Sequence, residues 1–258
     1  MRKEDQKMKR TLISVFVVAF TILFTTGAYA GWRLYDNFNK YANIEEMKAS
    51  PKWYISAEDE AIADFSITEG GMLRIQHWAG NPNDSAWAQL IKRPKRILGI
   101  KATIEVESWN GDVRVRIAAD VGFLKDNPDH HVWYELGLRH RWADWIGPDG
   151  AWMEYVRGSA SVNDVPAGWI WQYDLFYTEL GAWKHPLIVG TPYKITASFP
   201  PKKALFKVNV PADLGKVSFK YVEEIGKPDE PFRAIGTRSG DDPGTCVVYI
   251  DDVYVYLP

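Results

Sequence analysis

The residues with the clearest chemical potential are tryptophans in the second half of the chain. Seven of the twelve tryptophans fall between Trp133 and Trp183, which makes this region a candidate binding surface. An indole offers a flat apolar face and an N–H donor, and both suit stacking against a sugar ring. Trp142 and Trp145 precede the turn residues 147–150, so we predict that they lie in an exposed loop, where functional residues concentrate. Packing in the core is the alternative.

Two predicted strands carry a polar stripe on the face turned away from their apolar residues. Arg114 and Arg116 alternate with valines on the first strand. Trp133, Glu135 and Arg139 alternate with apolar residues on the next. Successive strand residues point to opposite faces, so we expect these five side chains to share the solvent face of one sheet. They could bind a ligand, or they could form solvated cross-strand Arg–Glu pairs that each contribute roughly a few tenths of a kcal/mol.

The elements that must position these residues are short strands. Apolar and polar residues alternate along much of the chain, and prolines and glycines fall between the alternating segments. We predict strands at residues 72–78, 100–107, 112–117, 132–141, 151–156, 169–177, 193–199, 204–210, 216–221, 232–236 and 246–256, with a short helical turn at 44–48. Many short strands without long helices are typical of a β-sandwich or barrel.

The two ends of the chain carry aromatic strand motifs. Leu-Tyr-Asp-Asn-Phe at 34–38, followed by Lys52-Trp53, and Val-Val-Tyr-Ile-Asp-Asp-Val-Tyr-Val-Tyr at 247–256 resemble the concanavalin A-like lectin/glucanase superfamily. The resemblance implies a single jelly-roll β-sandwich of two antiparallel sheets, with the first and last strands side by side. It also implies a role connected with carbohydrate. We predict one such domain over residues 31–258.

The same resemblance implies one structural calcium ion. Relatives often hold Ca²⁺ with an acidic residue near the start of the domain and an aspartate on the last strand, and Asp36 and Asp251 occupy comparable positions here. Oxygen ligands from distant segments suit this hard cation. The alternative is that Asp251 hydrogen-bonds to its local backbone.

The resemblance also bears on catalysis. Glucanases of the superfamily carry a Glu-x-Asp-x-x-Glu motif, which places two carboxylates about 5 Å apart for a retaining mechanism. The sequence has no such motif. We therefore expect a non-catalytic protein that binds a polysaccharide or glycan. A polysaccharide-cleaving hydrolase or lyase is one alternative, since Gln76-His77 and residues 139–141 offer residue types that lyases use. A structural envelope protein is another.

The start of the chain predicts export to the periplasm or outside the cell. Basic residues precede an apolar run at 12–24, and Ala28-Tyr29-Ala30 matches a cleavage site, so residues 1–30 read as a signal peptide. A membrane anchor is the alternative, but a bilayer span needs roughly 20 residues. We expect no membrane span after cleavage. The chain has a net charge of −2, which does not favour nucleic acid, and its single cysteine, Cys246, excludes an internal disulfide.

Overall fold

A computed structural model describes residues 30–57, 62–78, 80–124, 127–143, 151–164, 168–172, 187–199, 203–209, 216–220 and 231–258. Residues Trp32–Leu257 belong to one compact unit. The predicted signal peptide falls on a segment that, apart from residue 30, lies outside the described residues. Among the described residues, no helix has the length and apolar character needed to cross a membrane.

The described strands form two sheets. The first contains, in spatial order, β13 (Lys216–Lys220), β12 (Lys203–Asn209), β11 (Pro192–Ser198), β6 (Gly99–Asn110), β15 (Thr245–Leu257), β4 (Leu73–His77) and β3 (Ala63–Ile67), with β1 (Gly31–Asp36) also paired to β15. The second contains β10 (Gly168–Gln172), β9 (Ala151–Asp164), β8 (Asn127–Ala143), β7 (Val113–Leu124), β14 (Arg233–Ser239), β5 (Ser85–Leu90) and β2 (Trp53–Ala57). Neighbours along both paths are antiparallel.

This arrangement confirms the predicted fold class, an antiparallel two-sheet jelly-roll sandwich. The pairing of β1 with β15 brings the first and last strands together, as the resemblance of the chain ends implied. The described part of the chain contains one α-helix, α1 (Ile44–Lys48), at the position of the predicted helical turn. Asn43 caps it by accepting a hydrogen bond from the backbone N–H of Glu46 at 3.0 Å.

The core lies between the two sheets and is built from the apolar faces of alternating strands. On β6, Ile100, Ala102 and Ile104 are fully buried, while the residues between them are partly exposed. On the facing sheet, Val115 of β7 and Leu136 of β8 are also fully buried. Period-two alternation thus places one side of each strand in the core and leaves the other side on the outer face of its sheet.

One polar residue joins the sheets inside this core. His77 of β4 has 0% of its surface exposed, and its Nδ1 and Nε2 lie 3.0 and 2.9 Å from the hydroxyls of Thr237 and Ser239 on β14. Burial lowers the pKa of the imidazole to about 4, so the ring is neutral at physiological pH. A residue enclosed in this way cannot touch a polymer, which argues against His77 as a lyase base.

Several strands were not predicted from the sequence. They are β2, β3 and β5. In β5 the reason is clear, because Ser85 to Ala88 are all buried and show no alternation of buried and exposed residues. A strand covered on both faces lacks the period-two pattern that the prediction relied on. The predicted strand at 169–177 is described from 168 to 172, and its remainder lies outside the described residues.

Candidate functional site

The predicted polar stripe lies on the outer face of the seven-stranded sheet, the face turned away from the core. In the register of this sheet, Arg116 of β7 lies between Gly137 of β8 and Gly236 of β14, and Trp87 of β5 follows Gly236. A Cβ atom at Gly137 would lie 2.1 Å from the carbonyl oxygen of Val115, so no side chain fits there without moving backbone. Arg116 thus has a glycine on either side, and its guanidinium carbon lies 4.6 Å from the centroid of the Trp87 ring.

Glu135 is the centre of the polar contacts on this face. Its Oε1 forms an ion pair with Nη1 of Arg116 and accepts a hydrogen bond from Nε1 of Trp133 at 2.6 Å. Nη1 of Arg114 lies 3.8 Å from Oε2. Glu135 is only 6% exposed, and two guanidinium groups compensate the charge that burial would otherwise leave unpaired. Arg114, Arg116, Glu135 and Gly137 line a small recess, which we call the polar pocket.

An aromatic cluster adjoins the polar pocket. It consists of Trp87, Phe232 and Trp133, packed over Ala118 and Ala234. The Trp133 and Phe232 rings stack with centroids 5.2 Å apart and planes inclined by 25°, while Phe232 meets Trp87 edge-on at 5.3 Å. Trp133 and Phe232 are partly exposed, so the cluster presents aromatic surface beside charged groups.

Arg139 is anchored at the end of the same stripe. It forms a bidentate contact with Asp112, with Nε and Nη2 donating to the two carboxylate oxygens at 3.0 and 2.7 Å. Both residues are 3% exposed. The prediction of a solvent-exposed stripe is therefore wrong for Arg116, Glu135 and Arg139. Their side chains point away from the core as expected, but neighbouring strands and loops bury them.

The structure also differs from the prediction that Trp142 and Trp145 lie in an exposed loop. Trp142 belongs to β8, which continues to Ala143, so the prediction that it lies in a loop is wrong. By strand alternation it shares the face of the buried Leu136 and Leu138, opposite to Trp133, although it is 39% exposed. Trp145 lies outside the described residues. The predicted binding site therefore includes Trp133 and Trp142, whose side chains β8 directs to opposite faces.

Asp36, one of the two predicted calcium ligands, is surrounded by protein donors. Its Oδ2 accepts hydrogen bonds from Nε1 of Trp53 at 3.0 Å and from the hydroxyl of Tyr41 at 2.8 Å. The Nζ atoms of Lys40 and Lys52 lie 3.3 and 3.4 Å away. Burial alone would raise the pKa of this carboxyl, but the two hydrogen bonds and the charge of Lys52 outweigh it and lower the pKa.

Asp251, the other predicted ligand, hydrogen-bonds locally. Its Oδ1 accepts from the backbone N–H of Asp252 at 2.7 Å, where the register between β15 and β6 shifts. Partial burial raises the pKa of Asp251. The described residues contain no group of three or more His, Cys, Asp or Glu side chains that could hold a metal ion. A site built with backbone carbonyls is not tested by this observation, so calcium binding stays a prediction.

Sequence reasoning missed Trp87 and Phe232, which complete the aromatic cluster. Trp87 was overlooked because β5 lacks alternation. Phe232 fell at the start of the predicted strand 232–236, but its contacts with Trp87 and Trp133 depend on tertiary packing. One signal was available. Trp87 stands between Ala86 and Ala88, and such a large residue between two small ones indicates a side chain that needs space on a crowded face.

Comparison with known proteins yields only structural likeness. No protein-family model matches the sequence, and no curated protein matches it. A glycosyl hydrolase family protein from Mycobacterium fortuitum has a TM-score of 0.49 at 14% identity, covering 88% of this chain and 99% of its own. The kappa-carrageenase of Zobellia galactanivorans has a TM-score of 0.47 at 11% identity, covering 90% of this chain and 98% of its own. Basic winged bean lectin with Tn-antigen has a TM-score of 0.43 at 12% identity, covering 88% of this chain and 100% of its own.

These similarities assign no activity, ligand or residue role to this chain. Their identities are low, and the structures with similar scores include both hydrolases and lectins. A shared fold hosts many functions, so the residues on the outer face of the seven-stranded sheet are the better guide to what this chain does.

Proposed function

We propose that this protein binds a polysaccharide or a glycan-bearing surface without cleaving it, as an exported protein. The binding surface is the outer face of the seven-stranded sheet. The single observation that supports the proposal best is the aromatic cluster beside the polar pocket, whose one carboxylate, Glu135, is already bound by arginine.

The aromatic cluster suits a sugar because it combines apolar surface with polar groups at its edge. Stacked aromatic rings accept the C–H face of a pyranose, and neighbouring charged groups hydrogen-bond to its hydroxyls. Trp133 is the best candidate platform, since it is partly exposed and its ring is fixed by stacking on Phe232 and by its hydrogen bond to Glu135. Binding to a ring already held in place costs less conformational entropy.

The composition of β8 supports binding rather than hydrolysis. From Trp133 to Arg141, the residues on the outer face of this strand are Trp133, Glu135, Gly137, Arg139 and Arg141, with one carboxylate among them. A retaining glycosidase needs a second carboxylate about 5 Å from the first. Oε1 of Glu135 accepts from both Arg116 and Trp133, and Oε2 faces Arg114, so we assign this carboxylate to holding the surface together rather than to a reacting bond.

The proposal is tested by comparing alanine variants of two partly exposed tryptophans. Trp133→Ala removes the proposed platform, and Trp78→Ala is the control, because Trp78 is 39% exposed and follows β4 on the other sheet. Affinity for immobilised polysaccharides should fall about two- to thirteenfold in Trp133→Ala, since an aromatic stacking contact contributes about 0.5–1.5 kcal/mol. Trp78→Ala should bind like the wild type.

Two further variants locate the surface. Trp142→Ala tests whether Trp142, which was predicted to contact the ligand, takes part in binding. Trp142 and Trp78 are equally exposed, at 39%, so a difference between their alanine variants reflects where each tryptophan lies and not how much of it is exposed. Trp133→Phe keeps an aromatic ring on Phe232 and removes the N–H donor, which guards against a folding defect. Loss of binding in Trp142→Ala with full binding in Trp133→Ala would move the site to the other face of β8. Equal binding in all variants would contradict the proposal.

A further inference from the structure

A second candidate site lies at the edge of β1, away from the aromatic cluster. There a pocket of about 220 Å³ is lined by Arg33 of β1, Lys52 before β2, and Lys92 and Arg93 after β5. Its apolar lining comes from Leu34, which is 50% exposed, and the partly exposed Leu257, with Ile97 and Val255 buried beside them. The pocket therefore combines four cationic side chains with an apolar surface. We call it the basic pocket.

The concentration of positive charge is unusual for this chain. The whole protein has a net charge of −2, yet none of the described residues that line the basic pocket is acidic. The charge extends into the 3₁₀ turn Pro94–Arg96, where Lys95 and Arg96 are exposed. Such a local excess of one sign attracts a ligand of the opposite sign even when the net charge of the protein would repel it.

Hydrogen bonds fix the walls of the basic pocket. The Tyr35 hydroxyl accepts from the backbone N–H of Lys92 at 3.1 Å and donates to the carbonyl oxygen of Lys52. The Lys52 Nζ donates to the carbonyl oxygen of Tyr35 and lies 3.4 Å from Asp36, so part of its charge is already compensated. Among the described residues, neither Lys92 nor Arg93 forms an ion pair with a carboxylate. Both residues are exposed, so we expect these two cations to meet a ligand.

Arg93 also has a strained backbone. Its φ of 56° and ψ of 48° place it in the left-handed region, which non-glycine residues seldom adopt. An arginine held in this conformation costs stability that a glycine would not, and such strain is concentrated at functional positions. The conformation sets where the Arg93 side chain leaves the backbone at the edge of the pocket.

We propose that the basic pocket binds the acidic group of an anionic polysaccharide, either a uronate carboxylate or a sulfate ester. Guanidinium and ammonium groups recognise both through charge-assisted hydrogen bonds, and the apolar surface can pack against the sugar ring. A single charged sugar ring can enter a recess of this size. The preference for an anion rests on the cations alone, while the choice of a polysaccharide rests on the proposed function.

The test compares two double variants of the protein that lose the same charge. K92Q/R93Q removes the two cations of the pocket, and K48Q/K194Q removes two exposed cations elsewhere. Retention is measured on dextran sulfate, polygalacturonate and neutral dextran, and on vesicles of phosphatidylglycerol with phosphatidylcholine. The wild type should be retained by at least one anionic polymer more than by dextran. That retention should fall about tenfold or more in K92Q/R93Q, since two charge-assisted contacts are lost, and stay unchanged in K48Q/K194Q.

Several results would overturn the inference. They are equal retention of wild type and K92Q/R93Q, an equal loss in both double variants, no retention of the wild type on either anionic polymer, or retention on anionic vesicles alone. The proposed function fails separately. If K92Q/R93Q loses anionic polymers while Trp133→Ala binds every glycan normally, the basic pocket is supported and the aromatic cluster is not.

Discussion

His77 should make the stability of the sandwich depend on pH. In the folded protein its pKa is lowered from 6.5 to about 4, because the ring is buried between the sheets. The unfolded chain takes up a proton as the pH falls below 6.5, whereas the folded protein resists protonation until about pH 4. Proton uptake by the unfolded state alone destabilises the fold, so stability is lost as the pH falls through this window.

The size of the loss follows from the two pKa values. Linkage gives a loss of about 2 kcal/mol between pH 7.5 and pH 5.0, and about 3 kcal/mol by pH 4. Carboxylates with shifted pKa values, such as Asp36, also contribute at the acidic end. The contribution of His77 must therefore be measured as a difference between variants, and pH 5.0 keeps the titration of carboxylates small.

The assay is urea unfolding of the wild type and His77→Gln at pH 7.5 and pH 5.0. Glutamine can hydrogen-bond to the hydroxyls of Thr237 or Ser239 but cannot be protonated. The variant should be less stable at pH 7.5, and the gap should narrow by about 2 kcal/mol at pH 5.0. Thr237→Val removes one partner while keeping the imidazole, so it should retain the pH dependence. If the stability of wild type and His77→Gln changes by the same amount between the two pH values, His77 is not the source of the pH dependence.

Three further predictions concern other buried or strained groups. Asp36→Ala should lower the free energy of unfolding by about 2–4 kcal/mol in urea titrations, because the donors of Trp53 and Tyr41 lose their acceptor; a loss below about 1 kcal/mol would count against this role. Arg93→Gly should raise the free energy of unfolding by about 1 kcal/mol and weaken retention on dextran sulfate. A less stable variant would show that the Arg93 backbone is not strained. Burial raises the pKa of Cys246 to about 12, so a thiol reagent should label it only on unfolding. Rapid labelling of the native protein would show that the thiol is not buried.

The sequence predicted the direction of side chains better than their exposure. Arg116 and Glu135 do point away from the core, because alternation along a single strand is a local property. Whether they are exposed depends on the strands beside them. Gly236 and Trp87 come from distant parts of the chain, and their packing around Arg116 could not be read from β7 and β8 alone.

The extent of β8 was the other source of error. Turn residues after Trp142 predicted a loop that begins too early, and the strand continues to Ala143 because it pairs with β9 from His130 to Ala143. Hydrogen bonding to a long partner can extend a strand beyond the point where local propensity ends it. Asp36 was a similar case, since its hydrogen bonds to Trp53 and Tyr41 depend on tertiary packing.

A protein that holds a glycan without cleaving it is retained by a polysaccharide and leaves the polymer intact. The most direct measurement incubates the protein with a panel of insoluble and immobilised polysaccharides, with and without Ca²⁺, and follows retention together with the release of reducing or unsaturated sugar ends. We predict retention on at least one polysaccharide class and no release of new ends. Release of new ends would instead identify a hydrolase or lyase, and absence of retention on every polysaccharide would contradict the binding function.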